Sequence, residues 1–489
     1  YSKTFGKHSV SAVTAFEVMK YDYEDLYAAK KTYGQDINTS LGNAADPIDA
    51  DQKLQEDALM SYVASVNYSY DDKYYASFSF RRDGSSRLSP DTRWGNFWSL
   101  SASWRLSQER FMQPLKSVLS DLKLRASYGV NGNLPSSYYG YQSTYTTGAF
   151  YSGKPSPWES TLGNEELTWE KNYALNLGLD IGLFSRVNVS LDWYTRTTKD
   201  LLMSKQLNSI SGFSSLLTNV GQMRNTGVEL EVRSNNIKTK DFSWTTAFNL
   251  SHNKNKILKL ADLPWFVDGR YVRKEGYPFN TIYLREYAGV DPETGSALYY
   301  DNQQDENGNY TKNKVTDPGQ ASPIPLKDIT PTISGGFMNT FNYKFIDLSF
   351  NLSYSFGGYS YDNASYILQD DGYSVISNKS TEQRRRWQKP GDITDVPRFV
   401  YGNKKGGNYN SSRAIHSTDH IRLKSLILGL NAPKAWLQKL GIGNARIYFS
   451  GTNLLTWAAY DQYDPEMSGV VGFYTPPLKT YAFGLELKF

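Results

Sequence analysis

The 489-residue sequence predicts an all-β fold, a transmembrane antiparallel β-barrel. Three observations predict it. Apolar and polar residues alternate with period two in fourteen runs along the chain, several of these runs are 10 or 11 residues long, and the links between them alternate between short and long. Run length matters because an ordinary strand averages about 5–6 residues, whereas a tilted strand that crosses a bilayer needs about 9–11.

Each predicted strand has one apolar face and one polar face. From Ile346 to Phe356 every second residue is apolar, and the residues between them are Asp, Ser or Asn. The final run has apolar residues at alternate positions from Tyr481 to Phe489, and its aromatic terminus is typical of bacterial outer-membrane barrels. The predicted strands are 8–18, 60–70, 73–82, 96–106, 121–130, 173–183, 186–196, 226–234, 242–250, 333–344, 346–356, 420–432, 444–450 and 478–489.

The links between the predicted strands carry a second signal. Short links such as Asp71-Asp72 and Phe184-Ser185 alternate with long ones, as periplasmic turns alternate with longer extracellular loops in outer-membrane barrels. Residues 281–289 also look like a strand, but a membrane strand there would break the alternation, so we assign them to a structured extracellular loop. The long links are 19–59, 83–95, 131–167, 197–225, 251–332, 357–419 and 451–477.

The composition suits a barrel whose strands face lipid on one side and water on the other. The chain has 38 Tyr, 23 Phe and 11 Trp, which can supply an apolar outward face and aromatic belts at both membrane interfaces. No stretch approaches the roughly 18 consecutive apolar residues of a membrane helix. A net charge of +4, from 53 basic and 49 acidic residues, argues against a nucleic-acid-binding protein.

The sequence contains none of the common catalytic motifs, and we predict that the chain is not an enzyme. It has no GxSxG, P-loop or HExxH pattern, and the lack of cysteine removes disulfides, thiolate metal sites and cysteine nucleophiles. Loop carboxylates such as Asp370 and Asp371 could pair for glycoside hydrolysis, although acidic surface loops are commoner. His416 and His420 have HxxxH spacing, but at the entry to a strand this spacing separates them, so neither a metal nor a cofactor is expected.

Aromatic residues in the long loops are the main candidates for ligand contact. Flat aromatic faces stack on sugar rings and on peptide side chains, so an oligosaccharide or a peptide is a reasonable ligand. The same residues could instead hold the loops together, and the sequence leaves both interpretations open. A basic cluster in one loop is predicted to face the lumen or a lid. The candidate ligand-binding residues are Trp158, Trp265, Tyr271, Arg386, Trp387 and Tyr409.

Several short phrases occur across nearly the whole chain in the order in which one protein family carries them. They are Trp94-Gly95-Asn96-Phe97, Ser101–Ser107, Leu122–Gly129 with Gly132-Asn133, Leu167–Glu170, Asn219–Glu229, Arg386–Asp392, Asn453–Thr456 and Asp464-Pro465-Glu466. On these phrases the sequence resembles the carboxyl half of the SusC/RagA-like TonB-dependent transporters of Bacteroidetes outer membranes. It departs from them at Ile421, where the family often has an aromatic residue.

The resemblance implies a larger protein and an activity. Transporters of this class have about 22 strands around a plugged lumen, so about eight strands, the plug domain and the TonB box are expected outside this chain. The implied function is active import, across a Gram-negative outer membrane, of an oligosaccharide or sometimes a peptide. A SusD-like surface lipoprotein would act as a lid, a TonB–ExbB–ExbD complex would supply energy, and two transporter–lid pairs could associate.

Two other functions stay open on the sequence. A passive porin would have no plug and no TonB box. A secreted all-β glycan-binding protein or glycoside hydrolase would be soluble without detergent, and a hydrolase would need a pair of catalytic carboxylates.

Overall fold

The protein is an all-β chain, as the sequence predicts. The computed structural model describes residues 1–34, 39–260, 263–403, 410–437 and 441–489. Its two α-helices in these ranges are short, α1 (Asn363–Leu368) and α2 (Lys434–Leu437). In the part of the chain that the structure describes, no helix is both long enough and apolar enough to cross a membrane.

The strands range from two to 27 residues in length. In chain order the described strands are β1 (Ser2–Phe5), β2 (His8–Tyr33), β3 (Ala44–Tyr70), β4 (Tyr74–Ser85), β5 (Trp94–Arg105), β6 (Leu119–Asn133), β7 (Thr144–Tyr151), β8 (Lys154–Thr161), β9 (Glu170–Leu183), β10 (Val187–Lys199), β11 (Leu202–Gln206), β12 (Ser215–Asn219), β13 (Gln222–Lys238), β14 (Phe242–Lys259), β15 (Trp265–Asp268), β16 (Tyr271–Lys274), β17 (Thr281–Leu284), β18 (Tyr287–Val290), β19 (Ala297–Tyr300), β20 (Lys314–Val315), β21 (Ile324–Asp328), β22 (Ile333–Tyr343), β23 (Ile346–Phe356), β24 (Tyr359–Asp362), β25 (Ile415–Ser417), β26 (His420–Asn431), β27 (Asn444–Ala458), β28 (Gly469–Val471) and β29 (Thr480–Lys488).

Fifteen strands form the main sheet, in the order β1-β2-β3-β4-β5-β6-β9-β10-β13-β14-β22-β23-β26-β27-β29. This order follows the chain, which is the connectivity of an up-and-down sheet. Each of the fourteen predicted strands belongs to it. The additional strand is β1, whose four residues are too few to show the alternation on which the prediction depends.

The predicted loop 19–59 is wrong in its extent. β2 continues to Tyr33 and β3 begins at Ala44, and the two strands pair antiparallel over almost their whole length. Charged residues on both strands interrupt the apolar alternation here, and Lys20 forms an ion pair across the hairpin with Glu56 at 3.7 Å. Backbone pairing does not require an apolar face, so periodicity alone could not detect this extension.

Short turns with left-handed backbone join neighbouring strands of the main sheet. Asp71 and Asp72 have φ of 53° and 49°, and the Lys73 N–H donates to the Tyr70 carbonyl at 3.0 Å. Phe184 and Ser185 also both have positive φ, of 53° and 52°. Positive φ at both central residues gives the turn a twist that matches antiparallel strands, so these links end one strand and set the next beside it.

Contacts within the chain define two compact units. The first comprises residues 1–108, 125–177 and 196–223, and the second comprises residues 109–124, 178–195 and 224–489. In the first unit, the rings of Trp169 and Phe97 pack edge to face with centroids 5.2 Å apart, and Trp169 donates from Nε1 to the Arg93 carbonyl at 2.8 Å. The buried apolar residues of this cluster are Leu88, Phe97, Val130, Leu167 and Trp169.

Smaller sheets lie in the long links. The second unit contains the sheets β15-β16-β17-β21, β18-β19-β20 and β25-β24-β28, and the first unit contains the hairpins β7-β8 and β11-β12. Residues 281–289 therefore belong to loop sheets and not to the main sheet, as the alternation of links predicts.

Candidate functional site

Three long loops of the second unit bind to one another. The first loop is 260–332, between β14 and β22; the second is 357–419, between β23 and β26; the third is 459–479, between β27 and β29. We call them together the three-loop block. Each loop begins and ends at neighbouring strands of the main sheet, so the block is anchored to that sheet at both ends of every loop.

Hydrogen bonds at separate points join the first and second loops. The Ser412 N–H donates to the Arg285 carbonyl at 2.8 Å. Trp387 donates from Nε1 to the Pro292 carbonyl, also at 2.8 Å. The indole of Trp387 therefore has a structural partner in the neighbouring loop.

A buried ion pair fixes the middle of the second loop. Arg413 Nη1 lies 2.5 Å from Asp371 Oδ2, and Nη2 lies 3.2 Å from Oδ1. Gln383 donates from Nε2 to Asp371 Oδ1 at 2.9 Å. Burial raises the pKa of Asp371, and the neighbouring Arg413 opposes that rise. The adjacent Asp370 pairs instead with Lys379 at 2.6 Å, so the two carboxylates considered for hydrolysis each hold a separate cation.

The third loop is attached to the second by a parallel strand pair and by tyrosines. β28 pairs with β24, and Tyr460 donates from its hydroxyl to Asp362 Oδ2 at 2.9 Å. The ring of His416 stacks on Tyr460 with centroids 3.7 Å apart, and burial lowers the pKa of this histidine. His420 has a different environment, with Nδ1 2.7 Å from the Thr418 carbonyl oxygen.

A second ion-pair cluster joins the third loop to β26. Arg422 Nη2 donates to Asp464 Oδ1 at 2.8 Å and Nη1 donates to Glu466 Oε2 at 2.9 Å. Lys424 Nζ also lies 2.5 Å from Glu466 Oε2. The phrase Asp464-Pro465-Glu466, one of those that carry the resemblance noted in the sequence, therefore acts through Arg422 to hold the loop on the strand.

An open cleft of about 440 Å³ lies in the first loop. Its floor is one face of the sheet β15-β16-β17-β21, from which Trp265, Lys274 and Tyr283 project. Trp265 is directly opposite Lys274 in the β15–β16 register, which places both on that face. The rings of Trp265 and Tyr283 have centroids 6.0 Å apart and are inclined at 49°. We call this the Trp265 cleft.

The opposite wall of the Trp265 cleft is a short turn that includes Gln303, Gln304 and Tyr310. The Asn309 N–H donates to the carboxylate of Asp305 at 2.8 Å, which stabilises the turn. Burial raises the pKa of Tyr283, and the nearby Tyr310 adds to that rise. Aromatic faces, amides and one cation thus surround a single space.

The structure separates the residues that the sequence proposes for ligand contact. Trp265 lines the cleft, whereas Tyr271 packs against an apolar cluster of the loops that contains Ile282. Arg386 is exposed and donates to the Gln383 carbonyl. Trp158 is exposed on β8 in the first unit, Trp387 is bound to the first loop, and Tyr409 lies outside the described residues.

Sequence reasoning missed Lys274, Tyr283 and Tyr310, which share the cleft with Trp265. Lys274 and Tyr283 lie on strands of four residues, and Tyr310 follows a turn. Four residues are too few to show which side chains share a face. The strand-like character of 281–289 was the one signal that could have directed attention to Tyr283.

Gly295 lies at the contact between the first and second loops, and we expect Gly295→Ala to loosen it. Its φ is +68°, and an added Cβ would overlap the ring of Trp387. The combined strain should cost about 1–3 kcal/mol in the free energy of local unfolding. Gly276→Ala is the control, since Gly276 has φ +87° but no atom within 4 Å of an added Cβ. Hydrogen exchange of 291–297 should rise in Gly295→Ala and not in Gly276→Ala, and unchanged exchange there in Gly295→Ala would contradict the expected overlap with Trp387.

With this geometry established, comparison with known proteins decides the family. The model of the family described as TonB dependent receptor-like, beta-barrel matches residues 3–288. The chain belongs to this family. The predicted β-barrel fold is thereby confirmed, and the resemblance to SusC/RagA-like transporters is confirmed by the relatives and the solved structures that follow.

Curated relatives match most or all of this chain. "TonB-dependent receptor P3" of Formosa agariphila is 32% identical and is aligned over 100% of this chain and 51% of its own length. "TonB-dependent receptor SusC" of Bacteroides thetaiotaomicron is 31% identical over 90% of this chain and 45% of its own length. The chain therefore spans about half the length of these curated relatives.

A solved structure agrees with the sequence matches. The structure of the RagAB peptide transporter superimposes with a TM-score of 0.90 at 30% identity, covering 100% of this chain and 54% of the matched chain. The RagAB peptide importer in its 'open-open' state gives a TM-score of 0.88 at 29% identity. These relatives are receptors and transporters and not enzymes.

Proposed function

We propose that the protein takes part in TonB-dependent import of a large nutrient, an oligosaccharide or a peptide, across the outer membrane. The observation that carries the proposal is the whole-chain likeness to the RagAB peptide transporter together with the similarity to SusC. Membership of the TonB-dependent receptor family favours energised import over a passive porin. The same comparisons favour a transporter over a secreted glycan-binding protein or glycoside hydrolase.

The three-loop block supports a partner that opens and closes the binding cavity. Its loops are joined to one another by backbone hydrogen bonds and by a parallel strand pair, and a buried ion pair braces the second loop internally. Moving one loop would break several of these contacts together, so these loops are suited to form a fixed wall and not a gate. A SusD-like surface lipoprotein would supply the moving lid, and a TonB–ExbB–ExbD complex would supply energy by acting on a plug.

Uptake in the source bacterium tests the proposal. Deletion of the gene for the full-length protein should abolish growth on one class of oligosaccharide or peptide while growth on monosaccharides continues. Loss of TonB should have the same effect, because import would depend on it. Uptake that persists without TonB would indicate a porin, and unchanged growth on every nutrient in a broad panel would contradict the import function.

Purification of the full-length protein tests the partner. Extraction from outer membranes in mild detergent, followed by mass spectrometry, should recover a surface lipoprotein in a stable ratio to the barrel. A full-length barrel that purifies repeatedly without any lipoprotein, while still supporting TonB-dependent uptake, would remove the lid from the proposal but keep the import function.

A further inference from the structure

We propose that the Trp265 cleft binds an acidic saccharide unit, one that carries a carboxylate or a sulfate group. This inference rests on the proposed import function and extends it by naming a binding site and the chemistry of its ligand. It is carried by three properties of the cleft: its aromatic faces, its amides and its charge.

The aromatic faces suit a sugar ring. Trp265 is well exposed, and its ring is inclined at 49° to that of Tyr283, so the two faces form the sides of an open angle. Aromatic faces present a large apolar surface with little conformational entropy to lose, and pyranose rings offer a matching face of C–H groups. The volume of about 440 Å³ lies within the range of roughly 300–1,000 Å³ found for small-molecule sites.

The amides suit hydroxyl groups. Gln303 and Gln304 are exposed on the wall of the cleft, and each primary amide can both donate and accept hydrogen bonds, as sugar hydroxyls require. The backbone of this wall is held in place because the Thr311 N–H donates to the Gln303 carbonyl at 2.8 Å. Gln303 Nε2 also lies 3.2 Å from Ser322 Oγ, which orients its amide.

The charge of the cleft favours an anion. Lys274 is the one charged residue among the described residues that line it. Arg273, the preceding residue in the chain, is on the other face of the sheet, where Asp268 pairs with it at 2.9 Å. The Lys274 side chain lines the cleft with its ammonium over the Tyr277 ring, 5.0 Å from the ring centroid, while the charge of Arg273 is balanced by Asp268. A single ammonium beside stacking faces is a suitable partner for a uronate or a sulfate ester.

The position of the cleft favours a saccharide over a peptide. Extended peptides are commonly held by backbone pairing along a free strand edge. The Trp265 cleft lies over the face of a four-stranded sheet, whose inner backbone groups already pair with one another, so it offers side chains to a ligand. Recognition here would depend on stacking and on charge.

Binding to the purified full-length protein in detergent tests the inference. The probes are a galacturonate hexasaccharide, a chondroitin sulfate hexasaccharide, maltohexaose and hexaglutamate, each titrated by isothermal calorimetry at two salt concentrations. An acidic saccharide should bind at least about tenfold more tightly than maltohexaose and hexaglutamate, and more weakly at high salt.

Variants identify the site. Lys274→Gln should weaken binding of the acidic saccharide by about tenfold and remove most of its salt dependence, because the paired charge is lost. Trp265→Ala should weaken it by a similar factor, and Trp265→Phe by less, since a smaller stacking face remains. Lys314→Gln is the control, because Lys314 is an exposed lysine of the same loop that does not line the cleft. Limited proteolysis of each variant should give the same fragments as the unsubstituted protein, which would show that the loop is folded.

Several outcomes would overturn the inference. They are equal binding of maltohexaose and the acidic saccharides, tighter binding of hexaglutamate, no binding of either acidic probe, or a Lys274→Gln variant that behaves like Lys314→Gln. Its failure is distinguishable from failure of the import function. TonB-dependent uptake of a neutral nutrient that Lys274→Gln leaves unchanged would refute the acidic ligand alone, whereas cleft binding without any uptake phenotype would refute import alone.

Discussion

Arg413→Ala is expected to unfold the second loop locally while the main sheet stays folded. The Arg413 and Asp371 side chains are 12% and 0% exposed, so removal of the guanidinium leaves a carboxylate in a site from which water is excluded. Breaking a buried ion pair in this way typically costs about 3–5 kcal/mol. Gln383 alone cannot offset that cost, because one neutral amide donor replaces none of the lost charge.

Hydrogen exchange followed by mass spectrometry would measure the effect of Arg413→Ala. Peptides from 368–385 and from 410–415 should exchange much faster, while peptides from β22 and β23 should keep their protection. The matched control is Arg385→Ala, since Arg385 pairs with Asp395 at the surface, where the side chains are 57% and 70% exposed. Such pairs contribute about 0–1 kcal/mol.

A second substitution separates lost charge from lost packing at Arg413. Asp371→Asn in the Arg413→Ala background removes the unpaired charge, so part of the protection should return. If Arg413→Ala behaved like Arg385→Ala, the ion pair would not hold the loop. If the double variant were as unprotected as the single one, packing of the arginine side chain would be the larger contribution.

The main sheet could be predicted because each strand has two chemically different faces, and the sequence records them directly. Ile346–Phe356 alternates without a break and is observed as β23 with those bounds. Prediction from alternation fails where the two faces of a strand no longer differ in polarity. Past residue 18 charged residues interrupt the alternation in the β2–β3 hairpin, and its strands are held by backbone pairing, which does not require an apolar face.

The contacts within and between the loops could not be predicted from the spacing of residues in the sequence. Asp371 and Arg413 are 42 residues apart, and Arg422 and Asp464 are also 42 apart, so no local motif reveals either pair. The aromatic residues of the loops could be recognised in the sequence, but the sequence could not show which of them join loops and which line a cleft. Trp387 joins two loops, whereas Trp265 lines an open cleft, and this difference arises only when distant segments meet. A ligand role for Trp265 stays a prediction until binding is measured.

Arg422→Ala is expected to detach the third loop from β26. Arg422 and Asp464 are only 4% and 5% exposed, and the arginine also donates from Nε to Thr456 Oγ1 at 3.0 Å on the adjacent strand. Its removal leaves the Asp464 carboxylate buried without its cation, which again costs about 3–5 kcal/mol. Lys424 contacts Glu466 and not Asp464 in the described contacts, so it would offset little of this cost.

Exchange of 459–471 and nutrient uptake by the full-length protein would measure the consequence of Arg422→Ala. Both should change, because β28 of the third loop pairs with β24 of the second, and loss of one anchor weakens the wall of the three-loop block. Lys424→Ala, the control, removes a partly exposed pair and should change loop stability by less than about 1 kcal/mol. Arg422→Lys should lie between them, since one ammonium cannot donate to both carboxylates with the geometry of a guanidinium. Faster loop exchange with normal uptake would show that import does not need a fixed third loop, whereas unchanged exchange would contradict the proposed anchor itself.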